Sequence, residues 1–393
     1  MLPDWRTQRV LACATLVLTA LAGCTDSTER GPVEPVGGPA PTTNTSSASP
    51  PAVAGPSLML PRAVHRATTL ADGRVLFTGG CSTAGCGGVA DAAVTSVFDP
   101  ASGRIELGPQ LRQPRLSHTA TLLHDGRVLV VGGYPGEGAP PTASIELFDP
   151  DGGTVSTAPP LRFARADHTA SLLPDGQVLV VGGRGADGAA SRTVEIIDPT
   201  TGRVTNGPEL PTPRTAQVAS TLEDRVLLVG GTTMTDAAVA TSLLLDQSAM
   251  RWTSGPSMLR ARVKHAAVAL ADGGVLVLGG AADAESRERF SDTEILANGA
   301  PRFRRGPDLP EGRYKLTDAV ATLPDGRIVV AGGPTLEVVD VTKGTIRSVA
   351  PLPGGADRAF QTVSLVAGSR VLVAGGYDAA ITPTAATWLI PVS

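Results

Sequence analysis

The sequence predicts an all-β protein, a seven-bladed β-propeller, from three observations. A segment typified by HTATLLHDGRVLVVGG at residues 118–133 recurs with glycine pairs that end at Gly80, Gly133, Gly183, Gly231, Gly280, Gly333 and Gly376. The seven copies are spaced about 50 residues apart, which is typical of propeller blades. Glycine (46) and proline (33) are abundant and charged residues make up only 18%, which favours short strands and tight turns over helices.

The first 23 residues are predicted to be a lipoprotein signal peptide. Arg6 and Arg9 precede an apolar run that ends at Ala22, which is long enough for a signal peptide and too short for a membrane span. The run closes with Leu-Ala-Gly-Cys at residues 21–24. This tetrapeptide resembles the bacterial lipobox, and the resemblance implies that Cys24 is lipidated. An ordinary signal peptide with an incidental cysteine is the alternative.

Residues 24–50 are rich in Pro, Thr, Ser and Gly and have little apolar bulk to bury. We expect them to form a disordered tether between a membrane and the folded body, residues 51–393. Thr25 follows the predicted lipid-bearing cysteine where an inner-membrane retention signal would place Asp. This favours the outer membrane of a bacterial envelope over the inner one.

The second unit shows how each repeat is predicted to form four antiparallel strands. The first strand covers residues 118–123, and Asp125-Gly126 forms a two-residue hairpin turn. The second strand, 127–131, is apolar without alternation, so both of its faces are expected to be buried. A third strand at 144–148 ends at an Asp-Pro pair, and a short fourth strand follows near 154–157.

Strand counting predicts that the ring is closed by the two ends of the chain. Fourth strands precede Pro109, Pro159, Pro208, Pro256, Pro307 and Pro351, whereas the last unit ends after its third strand. Residues 51–56 are therefore expected to supply the missing strand of the last blade. Stacking blades around an axis buries both faces of each sheet. An open β-solenoid with the same repeat is the alternative.

The glycine pairs, the Asp-Pro after the third strand and the period together resemble kelch-type propellers, including those of galactose-oxidase-like proteins. The resemblance covers residues 51–393. Each kelch unit usually has a tryptophan in its fourth strand. In this sequence only one unit has it, at Trp252, so the sequence departs from the kelch pattern there.

A polar motif precedes the first strand of every unit. A basic residue stands three positions before a polar one in Arg62/His65, Arg115/His118, Arg165/His168, Arg214/Gln217, Arg262/His265, Lys315/Asp318 and Arg358/Gln361. We expect the second members to ring one mouth of the central channel. Two interpretations stay open. The ring is a metal or anion site, or it is scaffold, with the basic residue bracing the next blade and the histidine satisfying strand ends.

Cys81 and Cys86 share the loop after the first glycine pair, and in an exported protein they are predicted to form a local disulfide. No second Cys/His pair lies nearby in sequence, so no zinc site is predicted there. The galactose-oxidase resemblance implies a copper radical oxidase as an alternative. That chemistry needs a cysteine-crosslinked tyrosine, a second tyrosine and two histidines, for which Cys81, Tyr134, Tyr377, His65 and His118 are the candidates.

The formal net charge of −4 offers no basic footprint for nucleic acid. The loops after the glycine pairs share one face, and binding residues concentrate on loops that a rigid scaffold presents. The sequence therefore favours a monomeric, lipid-anchored interaction module without catalytic residues, cofactor or metal, which binds a protein or glycan of the cell envelope on this face. The alternative is an envelope carbohydrate-active enzyme of mutarotase, lyase or copper radical oxidase type.

Overall fold

The computed structural model describes residues 52–86, 90–136, 138–283, 288–352 and 358–392. The predicted signal peptide, the tether and the lipidation site Cys24 lie outside the described residues. Within the described ranges, no helix has the length and apolar character needed to cross a membrane.

Within the ranges that the structure describes, twenty-eight strands form seven four-stranded antiparallel sheets, which confirms the predicted seven-bladed β-propeller. Blade 1 consists of β2 (Arg66–Thr69), β3 (Val75–Thr78), β4 (Ser96–Asp99) and β5 (Arg104–Leu107). Blade 2 consists of β6 (Thr119–Leu122), β7 (Val128–Val131), β8 (Ile145–Asp149) and β9 (Thr154–Ala158). Blade 3 consists of β10 (Thr169–Leu172), β11 (Val178–Val181), β12 (Val194–Asp198) and β13 (Arg203–Asn206).

The next three blades repeat the pattern. Blade 4 consists of β14 (Val218–Thr221), β15 (Arg225–Val229), β16 (Ser242–Asp246) and β17 (Arg251–Ser254). Blade 5 consists of β18 (Ala266–Ala269), β19 (Val275–Leu278), β20 (Thr293–Leu296) and β21 (Arg304–Arg305). Blade 6 consists of β22 (Val320–Thr322), β23 (Ile328–Val330), β24 (Thr335–Asp340) and β25 (Thr345–Pro351).

Blade 7 joins both ends of the folded body, as the strand count predicts. Its inner strands are β26 (Thr362–Val366), β27 (Arg370–Ala374) and β28 (Thr387–Pro391), and its outer strand is β1 (Val53–Ala54). Val53 pairs with Leu389 and Ala54 with Trp388. The Thr387 hydroxyl also donates to the Pro56 carbonyl at 2.7 Å. Strand β26 contacts β2 of blade 1, so the ring is closed.

The hydrophobic core lies between the blades rather than inside one central mass. Among the described residues, seven hydrophobic clusters each span two neighbouring blades. In β7, Val128 and Val130 pack with Leu76 of blade 1, whereas Leu129 and Val131 pack with residues of blade 3. A continuously apolar strand suits this arrangement because alternate side chains enter opposite interfaces.

Chain direction places two kinds of connection on opposite faces of the ring. The hairpins between first and second strands and the turns between third and fourth strands share one face, which we call the hairpin face. The loops after the glycine pairs and the segments leading into each first strand share the other, which we call the loop face. Two 3₁₀ turns, Ala84–Cys86 and Ala90–Ala93, lie in the first of these loops.

Candidate functional site

The basic residues of the sequence motif brace the loop face. The Arg115 guanidinium donates to the Gly132 carbonyl at 2.7 Å and pairs with Glu146 at 2.5 Å, both in its own blade. Its backbone carbonyl accepts from the Gly80 amide of the preceding blade at 2.9 Å. The side chain therefore braces its own blade, and not the next one as the scaffold interpretation of the sequence supposed.

Equivalent ion pairs recur in three further blades, at Arg165–Glu195, Arg262–Glu294 and Arg313–Glu337. All of these side chains are almost fully buried. A buried charge is tolerated when it is paired and hydrogen-bonded, which the carbonyl and carboxylate partners achieve here.

The buried histidines link neighbouring blades. The Nε2 atom of His118 lies 2.9 Å from the Thr78 hydroxyl, that of His168 lies 3.0 Å from Thr119, and that of His65 lies 3.1 Å from Thr362. In blade 4, Gln217 Nε2 donates to the Val181 carbonyl at 2.8 Å, and in blade 7 Gln361 Oε1 accepts from the Gly332 amide at 3.2 Å. Each bond reaches the preceding blade, so these side chains act as scaffold.

Burial controls the protonation of this histidine layer. Desolvation, reinforced by nearby arginines, lowers the pKa of His65 to about 3, and desolvation followed by Arg262 does the same for His265. The pKa values of His118 and His168 are also lowered well below the ordinary value, with burial as the largest cause. These imidazoles are neutral at pH 7 and supply no positive charge to a ligand.

The glycine pairs make room for this layer. Gly132 has φ 61°, and a Cβ built on it would approach the Cε1 atom of His168 to 2.8 Å. Gly133 has φ 96°, and a Cβ built on it would lie 2.8 Å from the Cβ of His118. Both glycines are required because backbone and imidazole meet there without space for a side chain.

Blade 6 departs from the register that the sequence motif suggested. Arg313, not Lys315, occupies the arginine position, because its carbonyl accepts from Gly280 as that of Arg165 does from Gly133. Leu316, not Asp318, takes the histidine position. A Cβ built on Gly279 would lie 2.7 Å from the Leu316 side chain, as a Cβ on Gly132 would lie 2.8 Å from that of His168. A turn follows Leu316 before β22 begins at Val320, so Asp318 is displaced from the ring position into the channel.

An ion pair spans the channel at this displaced aspartate. Arg66 of blade 1 donates to the His118 carbonyl at 2.7 Å and to Asp318 of blade 6 at 3.1 Å. Asp318 also accepts from the Ala67 amide at 3.3 Å. Blade 7 separates blades 1 and 6 in the ring, so this pair links two blades that are not neighbours.

The residue one position before the histidine layer forms a second ring with different properties. We call it the mouth ring, and its seven members are Val64, Ser117, Asp167, Ala216, Lys264, Lys315 and Phe360. All have left-handed φ angles between 51° and 58°. Glycine adopts this conformation at the least cost, yet every blade keeps a side chain there, and the side chains differ in size and charge.

The mouth ring surrounds a cavity of about 390 Å³ at the loop-face end of the channel, which we call the mouth cavity. His65, His168, Gln217 and His265 also line it, and His118 and Gln361 are too buried to reach it. The volume lies in the range of small-ligand sites. Residues held in sparsely populated backbone conformations concentrate at such sites.

Opposite charges face each other across the mouth cavity. Burial raises the pKa of Asp167, opposed by its hydrogen bond with Ser117 and by the charges of Arg184 and Lys264. Burial and then the charge of Lys315 lower the pKa of Lys264. The pKa of Tyr134, beside Asp167, is raised to about 12, first by burial and then by the charge of Asp167.

The residues proposed for copper radical chemistry do not fit that metal. Cys81 forms a disulfide with Cys86, so its thiol is not available for a bond to tyrosine. His65 and His118 each place Nε2 against a threonine of a neighbouring blade. Nowhere in the described ranges do three or more His, Cys, Asp or Glu side chains gather as a metal site would require.

Sequence reasoning found the histidine layer and missed the mouth ring beside it. The signal was present in the triplets Leu-Ser-His, Ala-Asp-His and Val-Lys-His that end at residues 118, 168 and 265. Arginine and histidine recur in these segments, whereas the residue before the histidine changes. The left-handed backbone, which places that residue at the channel mouth, has no sequence signature apart from glycine.

Comparisons with known proteins support the architecture. The kelch motif model matches residues 115–162 and 167–211, which correspond to blades 2 and 3. A structure of a fungal alcohol oxidase of the AA5 family in complex with copper is 18% identical, with a TM-score of 0.69, over 86% of this chain and 76% of that one. A structure of YjhT is 13% identical, with a TM-score of 0.57, over 86% and 97% of the two chains. No curated protein matches.

Proposed function

We propose that this kelch-repeat propeller is an interaction module of the cell envelope that binds a glycan or protein on its loop face. Lipid on Cys24 and the tether would hold it at a membrane, with the outer membrane of a bacterium favoured. The similarity to the fungal oxidase and to YjhT supports the fold alone, so the proposal depends on the chemistry of this chain's own loop face.

The mouth ring is the observation that carries this proposal. The scaffold repeats the same arginine and histidine contacts around the ring, and a ligand that is not seven-fold symmetric has to be recognised by residues that break the repeat. The mouth ring breaks the repeat at a loop-face position that all blades share, with Asp167, Lys264 and Phe360 at equivalent places. These side chains line a cavity and lie on a rigid frame, which preserves their geometry on binding.

Capture from envelope extract tests the proposal. The full chain, solubilised in detergent, is immobilised and the retained glycans and proteins are identified. Asp167→Ala combined with Lys264→Ala is expected to abolish capture. Asp125→Ala combined with Arg127→Ala, which removes an ion pair on the hairpin face, is the matched control and should retain it. Capture that survives the mouth-ring pair, or that is lost in the control, would contradict a loop-face site.

A carbohydrate-active enzyme is the second candidate, and one observation favours it. Asp167 and Lys264 line the same cavity. Burial raises the pKa of Asp167 and lowers the pKa of Lys264, so both pKa values are shifted toward neutral pH. Such a pair suits proton transfer of the mutarotase or lyase kind. NMR of reducing sugars mixed with the wild-type chain and with Asp167→Asn tests it, and equal anomer exchange in the two samples would refute it.

A further inference from the structure

The rim of the loop face has a gap at blade 6. In this blade only Pro334 separates Gly333 from the start of β24 at Thr335, so the loop that other blades place there is missing. A cavity of about 730 Å³ lies on the same face, between the segment that leads into blade 6 and the loop of blade 7. We call it the notch cavity, and its polar and aromatic lining residues are Arg289, Glu311, Tyr314, Lys315, Tyr377 and Asp378. They come from blades 5, 6 and 7.

Lys315 separates the notch cavity from the mouth cavity and lines both. Its ammonium donates a hydrogen bond to the Tyr377 hydroxyl. The rings of Tyr314, Tyr377 and Phe360 surround it, with centroids 4.9, 5.0 and 5.4 Å from Nζ. Within the described part of the chain, Lys315 forms no ion pair with a carboxylate.

A half-buried ammonium that forms no ion pair is unfavourable, because burial removes water that would otherwise stabilise it. Burial, followed by the charge of Arg289, lowers the pKa of Lys315 to about 8. Arg289 itself lies over the Tyr314 ring, 4.7 Å from its centroid. Two cations thus converge on one aromatic-lined cavity, an arrangement that an anionic group would stabilise.

The remaining lining groups narrow the class of anion. Glu311 and Asp378 also line the notch cavity, and carboxylates accept hydrogen bonds from hydroxyl groups. The Oδ1 atom of Asp378 accepts from the amides of Ala380 and Thr382 at 3.0 Å each, which fixes its orientation. Aromatic surface, hydroxyl acceptors and cations together match a ring-shaped ligand that carries both hydroxyl groups and one carboxylate.

We propose that the notch cavity binds a uronic acid residue of a glycan, with its carboxylate on Lys315 and Arg289 and its hydroxyl groups on Glu311 and Asp378. The inference deepens the proposed function and rests on it, since it names the ligand class of the same face. An acidic protein segment would offer the carboxylate but not the array of ring hydroxyl groups.

Calorimetric titration of the full chain in detergent with d-glucuronate tests this assignment. Glucose, which lacks the carboxylate, and a glutamate-containing peptide, which lacks the sugar ring, are the comparison ligands. Glucuronate is expected to bind at least about tenfold more tightly than glucose, as one charge-assisted hydrogen bond predicts. It should also bind more tightly than the peptide, because its hydroxyl groups add hydrogen bonds to Glu311 and Asp378. Lys315→Met should lose about that factor, and Lys343→Met on the hairpin face should lose none.

The pH dependence separates a direct contact with Lys315 from a structural role. The groups facing Lys315 are Arg289, Glu311, Tyr314, Tyr377 and Asp378 in the notch cavity and Asp167, Lys264 and Asp318 in the mouth cavity. Carboxylate binding favours the ammonium over the amine, so affinity should fall as pH rises through about 8. This dependence should be much weaker in Lys315→Met and unchanged in Lys343→Met.

Equal affinity for glucuronate and glucose, or full affinity in Lys315→Met, would overturn the assignment. Tighter binding of the peptide than of glucuronate would overturn it in favour of a protein ligand. If envelope capture depends on the mouth ring while glucuronate does not bind, the uronate inference fails and the proposed function stands.

Discussion

The histidine layer and the mouth ring occupy adjacent positions in each blade, but they differ in whether the residue type repeats from blade to blade. The histidine layer, at 65, 118, 168 and 265, repeats one residue type, is buried and bonds to the preceding blade wherever a partner is resolved. The mouth ring, one residue earlier, keeps only its backbone conformation and varies its side chain. The scaffold is therefore encoded where the repeat is uniform, and we expect recognition where the same repeat is broken.

The largest expected effect comes from breaking the scaffold at a buried ion pair. Arg165→Met should destabilise the protein by about 3–5 kcal/mol, because it leaves the carboxylate of Glu195 buried without its cation. Chemical denaturation would measure the free energy of unfolding. Ser117→Ala in the mouth ring, the matched control, removes only one hydrogen bond to Asp167 and should cost about 1.5 kcal/mol. Equal losses in the two variants would remove the distinction between the positions.

Removing the strand that closes the ring should have the next largest effect. Deletion of residues 48–58 removes the pairing of Val53 and Ala54 with β28 and exposes one edge of blade 7. We expect the melting temperature to fall by roughly 4 °C, which corresponds to about 3 kcal/mol in a chain of this size. Differential scanning calorimetry provides the measurement, and an unchanged melting temperature would contradict closure by β1.

Acid should weaken the histidine layer in a defined pH window. In the folded protein the pKa values of His65 and His265 are lowered to about 3. In the unfolded chain the same side chains have the ordinary pKa of 6.5. The unfolded state therefore binds more protons between these values, and stability falls as pH drops from 6.5 toward 3. At pH 4.5 each such histidine costs up to roughly 2–3 kcal/mol.

Replacing one histidine by glutamine isolates this contribution. Gln217 already bridges two blades at the equivalent position, so His65→Gln should retain an inter-blade hydrogen bond at pH 7. Between pH 7 and 4.5 the variant should lose about 2 kcal/mol less unfolding free energy than the wild type. A loss as large as that of the wild type would contradict the lowered pKa, because it would show that His65 also takes up a proton in the folded protein.

The smallest expected effect has the opposite sign and lies in the mouth ring. Ala216→Gly should raise the free energy of unfolding by about 0.5 kcal/mol, because glycine adopts the left-handed conformation of this residue without steric cost. The same denaturation experiment measures it. A loss of more than about 1 kcal/mol would show that the mouth-ring side chain contributes to the scaffold.

The fold was largely predictable because its determinants are local and repeated. The Asp-Gly turns, the continuously apolar second strands and the glycine pairs each act within one blade, and the missing fourth strand near Pro391 indicated closure by residues 51–56. Blade 6 was not predictable in the same way. Two extra residues after Leu316 shift the register, and spacing alone gave no way to choose between Arg313 and Lys315 as the bracing side chain.

For the candidate site, the sequence predicted only the face of the propeller on which it lies, the loop face, and not the residues that form it. The convergence of Arg289, Lys315 and Tyr377 at the notch cavity depends on contacts among three blades. Such contacts follow from the ring geometry and leave no periodic signal in the chain. The predicted histidine ring was the more visible pattern because scaffold, unlike recognition, repeats.

We propose that ligand recognition belongs to the loop face, at the mouth ring and the notch cavity beside it. Hydrogen–deuterium exchange of the full chain with and without an oligouronate tests this proposal. We expect protection of backbone amides at 311–318 and 377–381, with none at the hairpin turns 71–74 and 124–127. Protection confined to the hairpin turns, with the notch and mouth segments unchanged, would contradict it.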